Sequence, residues 1–368
     1  MEENRSERFE NSAPDANVAS DSIKCKGCGS NLTFDPASQK LKCGYCGYTE
    51  DFLQSADVDE IPIEATLRGN ESWRKETLVF KCENCGAQIV ADKAETAILC
   101  PFCGTSHIVP DEELEGIRPS AVVPFQITKE KLAEKLNSWA KKKIFAPKKF
   151  KQMFRPDKIK GVFLPFFTFD SHTDSVYDGV VGYTRTRTVH TSHGTETETY
   201  TEWKSVSGTI EHFFDDVLIN AGKRFEKKKL SKLNPFDWDS IRVYENKFLS
   251  GYVAHHYERD IQTCWDEAKE VIDGKIRNMI VERYGCDEVK YLNVSTRHSG
   301  VTYKYVLLPV YVINFSFKNK NFVLYANGST GKIVGRAPVS PVRASIAGVI
   351  GGILVTALII FIWWFLNR

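Results

Sequence analysis

The sequence predicts a multidomain α+β chain on three observations. Eight of its ten cysteines fall into four CxxC pairs near the N-terminus. The middle of the chain mixes amphipathic helical periods with β-branched and aromatic runs, and its end carries a long apolar run without a charged residue. A length of 368 residues is more than one core usually serves, so several units are expected. Lysine and arginine number 49 against 47 aspartate and glutamate, a formal net charge of +2, so nothing global calls for a polyanionic partner.

Residues 1–22 are polar and lack the apolar stretch of a secretory signal, so a disordered terminus and a reducing compartment are expected. From Cys25 the chain reads CKGCGSNLTFDPASQKLKCGYCG, and from Cys82 it reads CENCGAQIVADKAETAILCPFCG. In both, two CxxC pairs stand fourteen residues apart, the spacing of a four-cysteine zinc site. Cys25, Cys28, Cys43 and Cys46 are therefore the expected ligands of one Zn2+, and Cys82, Cys85, Cys100 and Cys103 those of a second.

Gly29, Gly47, Gly86 and Gly104 follow the pairs and permit the tight knuckle turn. Alternating stretches between the pairs (NLTFD and KLK, AQIVAD and AIL) read as hairpin strands, giving zinc ribbons over 23–50 and 79–110 joined by a linker at 51–78. Modules this small draw most of their folding free energy from the metal. Four thiolates close the coordination shell, so the two zinc ions are expected to be structural.

Whether the ribbons bind nucleic acid or protein stays open at this level. Lys24, Lys26, Lys40 and Lys42 suit phosphate but equally soften a thiolate cluster, whereas Glu83, Asp92 and Glu95 disfavour DNA at the second ribbon. Tyr45, Tyr48 and Phe102 read as packing residues or as contact rings. Cys264 and Cys286 read as small apolar residues.

Residues 111–340 read as a sheet-rich α+β domain, with two similar halves suggested by an echo described below. TKEKLAEKLNSWAKKK places Leu132, Leu136 and Trp139 at helical spacing behind Thr128 as N-cap. The lysines 141, 142, 143, 148, 149 and 151 that follow read as a solvated helix end or as a contact for anionic headgroups. A second helix aligns Ile261, Cys264, Ala268, Ile272 and Met279 and stops at Gly285. The run from Val301 to Gly335 reads as a three-stranded antiparallel meander with turns at KNKN and NGSTG.

GVFLPFFTFD (161–170) and YVLLPVYVINF (305–315) echo each other, and the proline in each predicts a bulge or an edge. The Thr-rich stretch around His193 and Gly194 predicts a projecting polar hairpin in which Arg185 faces Glu202. The eight histidines, including the adjacent His255 and His256, read as structural. No phosphate loop, nucleophile elbow, HExxH pair or dinucleotide fingerprint is present, so no reaction centre is expected and the chain reads as a non-enzyme.

Ala344–Leu366 is long enough to cross a bilayer, which predicts a single C-terminal transmembrane helix acting as a tail anchor. Arg336 and Arg343 before it, and Trp363 and Trp364 near its far end, place the bulk of the chain on the cytoplasmic side of a cell membrane. Gly348 and Gly352 form a GxxxG through which the anchor could pair with a second copy or with another protein's anchor.

Taken in order, the paired cysteine modules, GVFLPFFTFD, VLLPVYVINF, NGSTGKIVG and the terminal apolar run resemble the YdjG-type bacterial zinc-ribbon membrane proteins, with ribbons of the TFIIB type. The resemblance implies a membrane adaptor encoded with phage-shock-type envelope-stress proteins. Such an adaptor brings an SPFH-domain protein and a PspA-like protein to the membrane. The fold expectation is thus two N-terminal zinc ribbons, a sheet-rich α+β domain and one transmembrane helix. The alternative function is a membrane-tethered nucleic-acid binder using the first ribbon and the lysines of 141–151.

Overall fold

The computed structural model describes the chain apart from residues 1–22, 53, 69–77, 92–99, 102–104, 106–107, 111–116, 192–193, 224–226, 318–319 and 368. The expected disordered terminus lies outside the described residues. So do Phe102, Cys103, Gly104, Asp92, Glu95 and the turn residue His193.

In chain order the elements are β1 (Leu32–Asp35), β2 (Lys40–Cys43), β3 (Thr49–Glu50), β4 (Ile61–Pro62), β5 (Leu78–Cys82), β6 (Gln88–Ala91) and β7 (Ile108–Pro110). There follow β8 (Ala121–Val122), α1 (Lys129–Lys141), β9 (Lys160–Thr191), β10 (Gly194–Asn220), β11 (Arg242–Val243) and β12 (Val253–His255). The chain continues through α2 (Ile261–Tyr284), β13 (Glu288–Phe317), β14 (Lys320–Asn327), β15 (Ile333–Val334) and α3 (Pro341–Leu366).

Two long strands rich in valine, phenylalanine, threonine and tyrosine organise the molecule. β9 and β13 run antiparallel, and Leu164 pairs directly with Leu308, so the two Leu-Pro echoes lie across from each other. Around that point the neighbours match. β8 runs parallel to β13 at Val306 and Leu307, as β12 runs parallel to β9 at Val162 and Phe163. β14 pairs Asn327 with Val310, as β10 pairs Asn220 with Phe166. Each half is a β-α-β-β run, and both helices start from a capping side chain, Thr128 on the Lys131 N–H and Asp260 on the Thr263 N–H.

The pleat sends alternate residues to opposite faces. Phe163, Phe167, Phe169, Tyr303 and Tyr305 share a core with α1 and α2. Val162, Leu164, Phe166, Val306, Leu308 and Val310 pack instead under the segment bearing Leu230, Leu233 and Phe236. α2 buries Cys264, Trp265, Ala268, Ile272, Ile276 and Ile280, with Ile261 and Met279 partly buried beside them, and ends at Gly285 with φ 55°.

Phe167 is fully buried, with ring centroids 5.3 Å from Tyr305, 5.8 Å from Tyr257 and 5.9 Å from Tyr303. Phe167→Ala is expected to cost about 3–5 kcal/mol in urea unfolding, because packed rings on three sides hinder collapse of the cavity.

The prolines do not mark bulges. Pro165 and Pro309 sit in continuous register, and the irregularities fall at Val289/Tyr291, Ser299/Thr302 and Phe214/Val217. Each proline stands where its strand changes partner on the side away from the β9–β13 pairing. There its carbonyl accepts the next segment's N–H, Ala221 onto Pro165 at 3.1 Å and Gly328 onto Pro309 at 2.8 Å, so the missing donor costs no ladder bond.

The Thr-rich hairpin extends past Glu288, where β13 stops pairing with β9, and its strands beyond Gly182 are mostly exposed. Its register differs from expectation. Arg185 lies opposite Tyr200 and reaches Glu202 diagonally, Nε to Oε2 at 3.1 Å. Long side chains span such diagonals readily.

The C-terminal run forms α3, but the expected transmembrane anchor is not supported. Among the described residues no helix is long and apolar enough to cross a membrane. The helix entrance is tied to the main body by polar contacts, the Ser340 N–H on the Phe145 carbonyl at 2.9 Å and Arg343 Nη1 on the Ala146 carbonyl at 2.8 Å. The tail anchoring, the single-pass placement in a cell membrane, and the orientation drawn from Arg336 and Arg343 are corrected with it.

Candidate metal centres

The first cysteine module is a three-stranded sheet, β1-β2-β3, with a knuckle at each CxxC pair. In the knuckles the Gly29 N–H donates to the Cys25 carbonyl and the Gly47 N–H to the Cys43 carbonyl. Both glycines have φ near 75°, a region that side chains rarely adopt, at 73° and 77°. The turns bring together Cys25, Cys28, Cys43 and Cys46, every sulfur within 4.8 Å of the others.

Thiolates about 2.3 Å from one tetrahedral ion would stand about 3.8 Å apart. The Cys25–Cys46 and Cys28–Cys43 sulfurs are 3.4 and 3.5 Å apart, close to that spacing. Backbone N–H groups of Cys46 and Tyr45 pull the Cys43 thiol down to about 6. The Tyr48 N–H acts the same way on Cys46, but crowding by the Cys25, Cys28 and Cys43 sulfurs outweighs it and pushes that thiol up to about 12. A set of sulfurs that cannot all ionise together is what a divalent cation resolves. These cysteines are positioned to bind a metal ion.

In the second module Cys82, Cys85 and Cys100 converge in the same way, with Cys85 and Cys100 sulfurs 3.6 Å apart. The Gly86 N–H donates to the Cys82 carbonyl at 2.6 Å, with φ 69°. These three are also positioned to bind a metal ion, while Cys103, the expected fourth ligand, lies outside the described residues.

Neither module stands free of the sheet domain. The Phe34 N–H donates to the Ser250 carbonyl at 2.9 Å, and Phe34 and Phe52 pack their rings on Phe248 at 5.4 and 5.0 Å. β6 of the second module pairs with β12, so its strands extend the main sheet. Of the rings expected to pack, Tyr48 does so, whereas Tyr45 is 86% exposed at the tip of its knuckle. Phe52 and Phe248 gave no sequence signal of this contact, since nearly two hundred residues separate them.

The chain is 28% identical over 334 residues to the uncharacterized protein YdjG of Bacillus subtilis (strain 168), covering 90% of this chain and 94% of that one. That similarity, along most of both chains, supports a YdjG-type family. No family model matches the chain, and no solved structure matches it.

A second polar cluster was not foreseen. Lys304, only 10% exposed, places its ammonium 2.9 Å from Asp216 Oδ1, 3.0 Å from Glu60 Oε1 and 3.8 Å from Asp170 Oδ2. Asp170 is buried and accepts the Asp216 N–H at 2.7 Å, while Thr302 donates to Glu60 at 2.6 Å. Asp216 takes φ 48° at the β10 irregularity, which turns its carboxylate toward Lys304.

Burial, and then the hydrogen bond with Glu60, raise the Asp170 carboxyl to about 7, and the same bond lowers Glu60. The Lys304 ammonium is pulled down by burial, but its bonds to Asp216 and Glu60 prevail and hold it above the ordinary lysine value. Glu60, Asp170 and Asp215 could by themselves suggest a cation site, yet Lys304 already supplies the positive charge there. The cluster fastens the segment that follows the first module to the sheet, next to the pairing of β4 with Thr302 and Tyr303.

Cys264 is fully buried, and burial pushes its thiol up to about 11, which suits an inert core residue. His256 is buried too. Burial, and then neighbouring His255, lower it to about 4, so its imidazole is neutral at pH 7.

Proposed function

We propose that the chain is a zinc-ribbon adaptor: two closed, structural Zn2+ centres fix two small heads on one sheet-rich body, which gathers partner proteins without catalysing a reaction. The observation that carries this reading is the seating of both cysteine modules on the same body, one through Phe248 and Ser250 in the turn that precedes β12 and one through β12 itself. A closed thiolate shell leaves no coordination position for a reacting water, whereas rigid knuckles suit surface presentation. Tyr45, a ring exposed at a knuckle tip, is the kind of residue that anchors protein contacts.

Two heads held on one body would engage a partner bivalently, which raises the effective concentration of the second contact. The YdjG-type resemblance supplies the partner class: SPFH-domain and PspA-like proteins of the envelope-stress response.

A second reading keeps a specific observation behind it. The lysines of 141–151 lie beside Arg343, whose guanidinium bonds the Ile144 and Ala146 carbonyls, so basic groups from two distant stretches share one surface suited to nucleic acid.

The deciding experiment is a pull-down with the full chain, quantifying bound protein and nucleic acid, for wild type, Tyr45→Ala and the double variant Cys25→Ser/Cys82→Ser. The adaptor reading expects an SPFH-domain or PspA-like protein, retained by wild type and reduced in both variants. Salt-sensitive nucleic acid with no such protein would replace it with the second reading.

A further inference from the structure

The two halves differ in what covers their elbows. In the second half the chain turns at Asn327-Gly328-Ser329. The Gly328 carbonyl accepts the N–H groups of Gln126 and Ile127, both at 3.0 Å, and the Asn327 carboxamide oxygen accepts the Ser329 and Thr330 N–H groups. In the first half the chain turns at Asn220-Ala221-Gly222. There the Ala221 carbonyl accepts the N–H groups of Glu258 and Arg259 at 2.9 and 3.0 Å, and the Asn220 carboxamide oxygen accepts the Gly222 N–H. The two elbows share this backbone frame, but Asn220 Nδ2 closes on the Gly222 carbonyl of its own turn at 2.7 Å.

The elbow at Asn327 is covered by the chain itself. Asn327 Nδ2 donates to the carbonyls of Leu233 and Pro235, both at 3.0 Å, the Asp237 N–H reaches Ser329 Oγ, and Gln126 Nε2 donates to the Asp237 carboxylate at 2.6 Å. The seated peptide is Leu-Asn-Pro-Phe-Asp, with Leu233 and Phe236 in the apolar layer beneath.

At Asn220 the corresponding place is a cleft of about 310 Å3. Phe166, Leu218 and Leu230 supply its apolar lining, and Asn220, Lys223 and Arg259 its polar edge. Arg259 is neutralised by Glu267 at 2.7 Å, and the Lys223 backbone N–H donates to Glu258 Oε2 at 2.8 Å, so the Lys223 ammonium is the cation that the edge offers to a ligand.

We propose that this cleft binds a short extended peptide of a partner protein, with a large apolar side chain followed by an acidic one, in the manner of Leu233–Asp237 on the matching elbow. The apolar residue fills the space over Phe166 and Leu218, one backbone carbonyl takes the second Nδ2–H of Asn220, whose first is held by the Gly222 carbonyl at 2.7 Å, and the acid meets the Lys223 ammonium. The site is independent of the ribbon reading, since it lies on the face of the sheet beneath Leu230 and shares no residue with the cysteine modules.

The probe is the fluorescein-labelled peptide KLNPFDW, copied from Lys232–Trp238, titrated against the full chain by fluorescence anisotropy. Gly222 leaves ordinary room for a Cβ, whose nearest atoms are Asn220 Oδ1 at 3.5 Å and Pro165 Cγ at 3.9 Å, so Gly222→Leu fills the cleft without backbone strain. Saturable binding with Kd below about 1 mM, weakened at least about tenfold by Gly222→Leu, is the expected result. If Gly222→Leu does not fold, Lys223→Glu on the exposed edge takes its place, with weaker binding expected. No saturable binding, or affinity unchanged by the substitution because the probe exchanges with the native segment at Asn327, would overturn the proposal.

Discussion

Stripping the metal from the full chain with a strong chelator is expected to unfold the β1–β3 module while the β9–β13 sheet stays folded. The module's own core is small: Leu32, Phe34 and Leu41 with the buried Cys25 and Cys43. Metal binding in such modules contributes on the order of 10–16 kcal/mol, far more than a few apolar side chains supply. Loss of the ion leaves four crowded thiols whose protonation demands conflict, so the knuckles at Gly29 and Gly47 should open first. Hydrogen exchange reads this directly: the N–H groups of Gly29, Gly47 and Phe34 lose protection, and those of Leu164 and Leu308 keep it. The second module is expected to respond less, because β6 remains paired with β12 whatever happens at its cysteines.

Lys304→Met is expected to cost about 3–5 kcal/mol at pH 8, the usual consequence of leaving buried charges without their partner. Three carboxylates would face one another around Asp170, which is only 2% exposed. The pH dependence of the wild type carries a sign that checks the same cluster. The Asp170 carboxyl is raised from its ordinary 3.8 to about 7, so the native state holds a proton there that the unfolded chain has lost. Its contribution to stability is therefore complete below about pH 4 and disappears as the pH rises through about 7.

Acidification to pH 5 should accordingly recover part of the stability lost in Lys304→Met. Asp170→Asn keeps an acceptor for the Asp216 N–H and a donor toward Glu60. It should flatten thermal stability between pH 4 and 8 and match or exceed wild type at pH 8. A melting profile of Asp170→Asn as steep as that of wild type would show that another group carries the dependence.

Much of this structure was legible because local signals agreed with the fold. Thr128 and Gly285 bound helices where capping chemistry places them, and the CxxC spacing located the sulfur clusters without help from the rest of the chain. The Leu-Pro echo was visible as text, but its meaning was not. A proline predicts a missing ladder bond, and only the pairing shows that both prolines stand where a neighbouring strand ends and another begins.

Nothing in the sequence announced the Lys304 cluster. Its members come from positions 60, 170, 216 and 304, each unremarkable in its own stretch, and only the β9–β13 register and the bend at Asp216 unite them. The apolar run at the end illustrates the opposite failure. Residue content alone suggested a bilayer span, whereas no helix among the described residues reaches that length with that character.

The central claim is that the two cysteine clusters are closed zinc centres holding two heads on one body. Its most direct test is the metal content of the purified chain, joined to zinc-edge X-ray absorption. The account predicts two zinc ions per chain, each in a sulfur-only shell near 2.3 Å, falling to one in Cys82→Ser. Metal-free protein whose β1–β3 amides remain protected, or zinc with an oxygen in its shell and an open position, would contradict it.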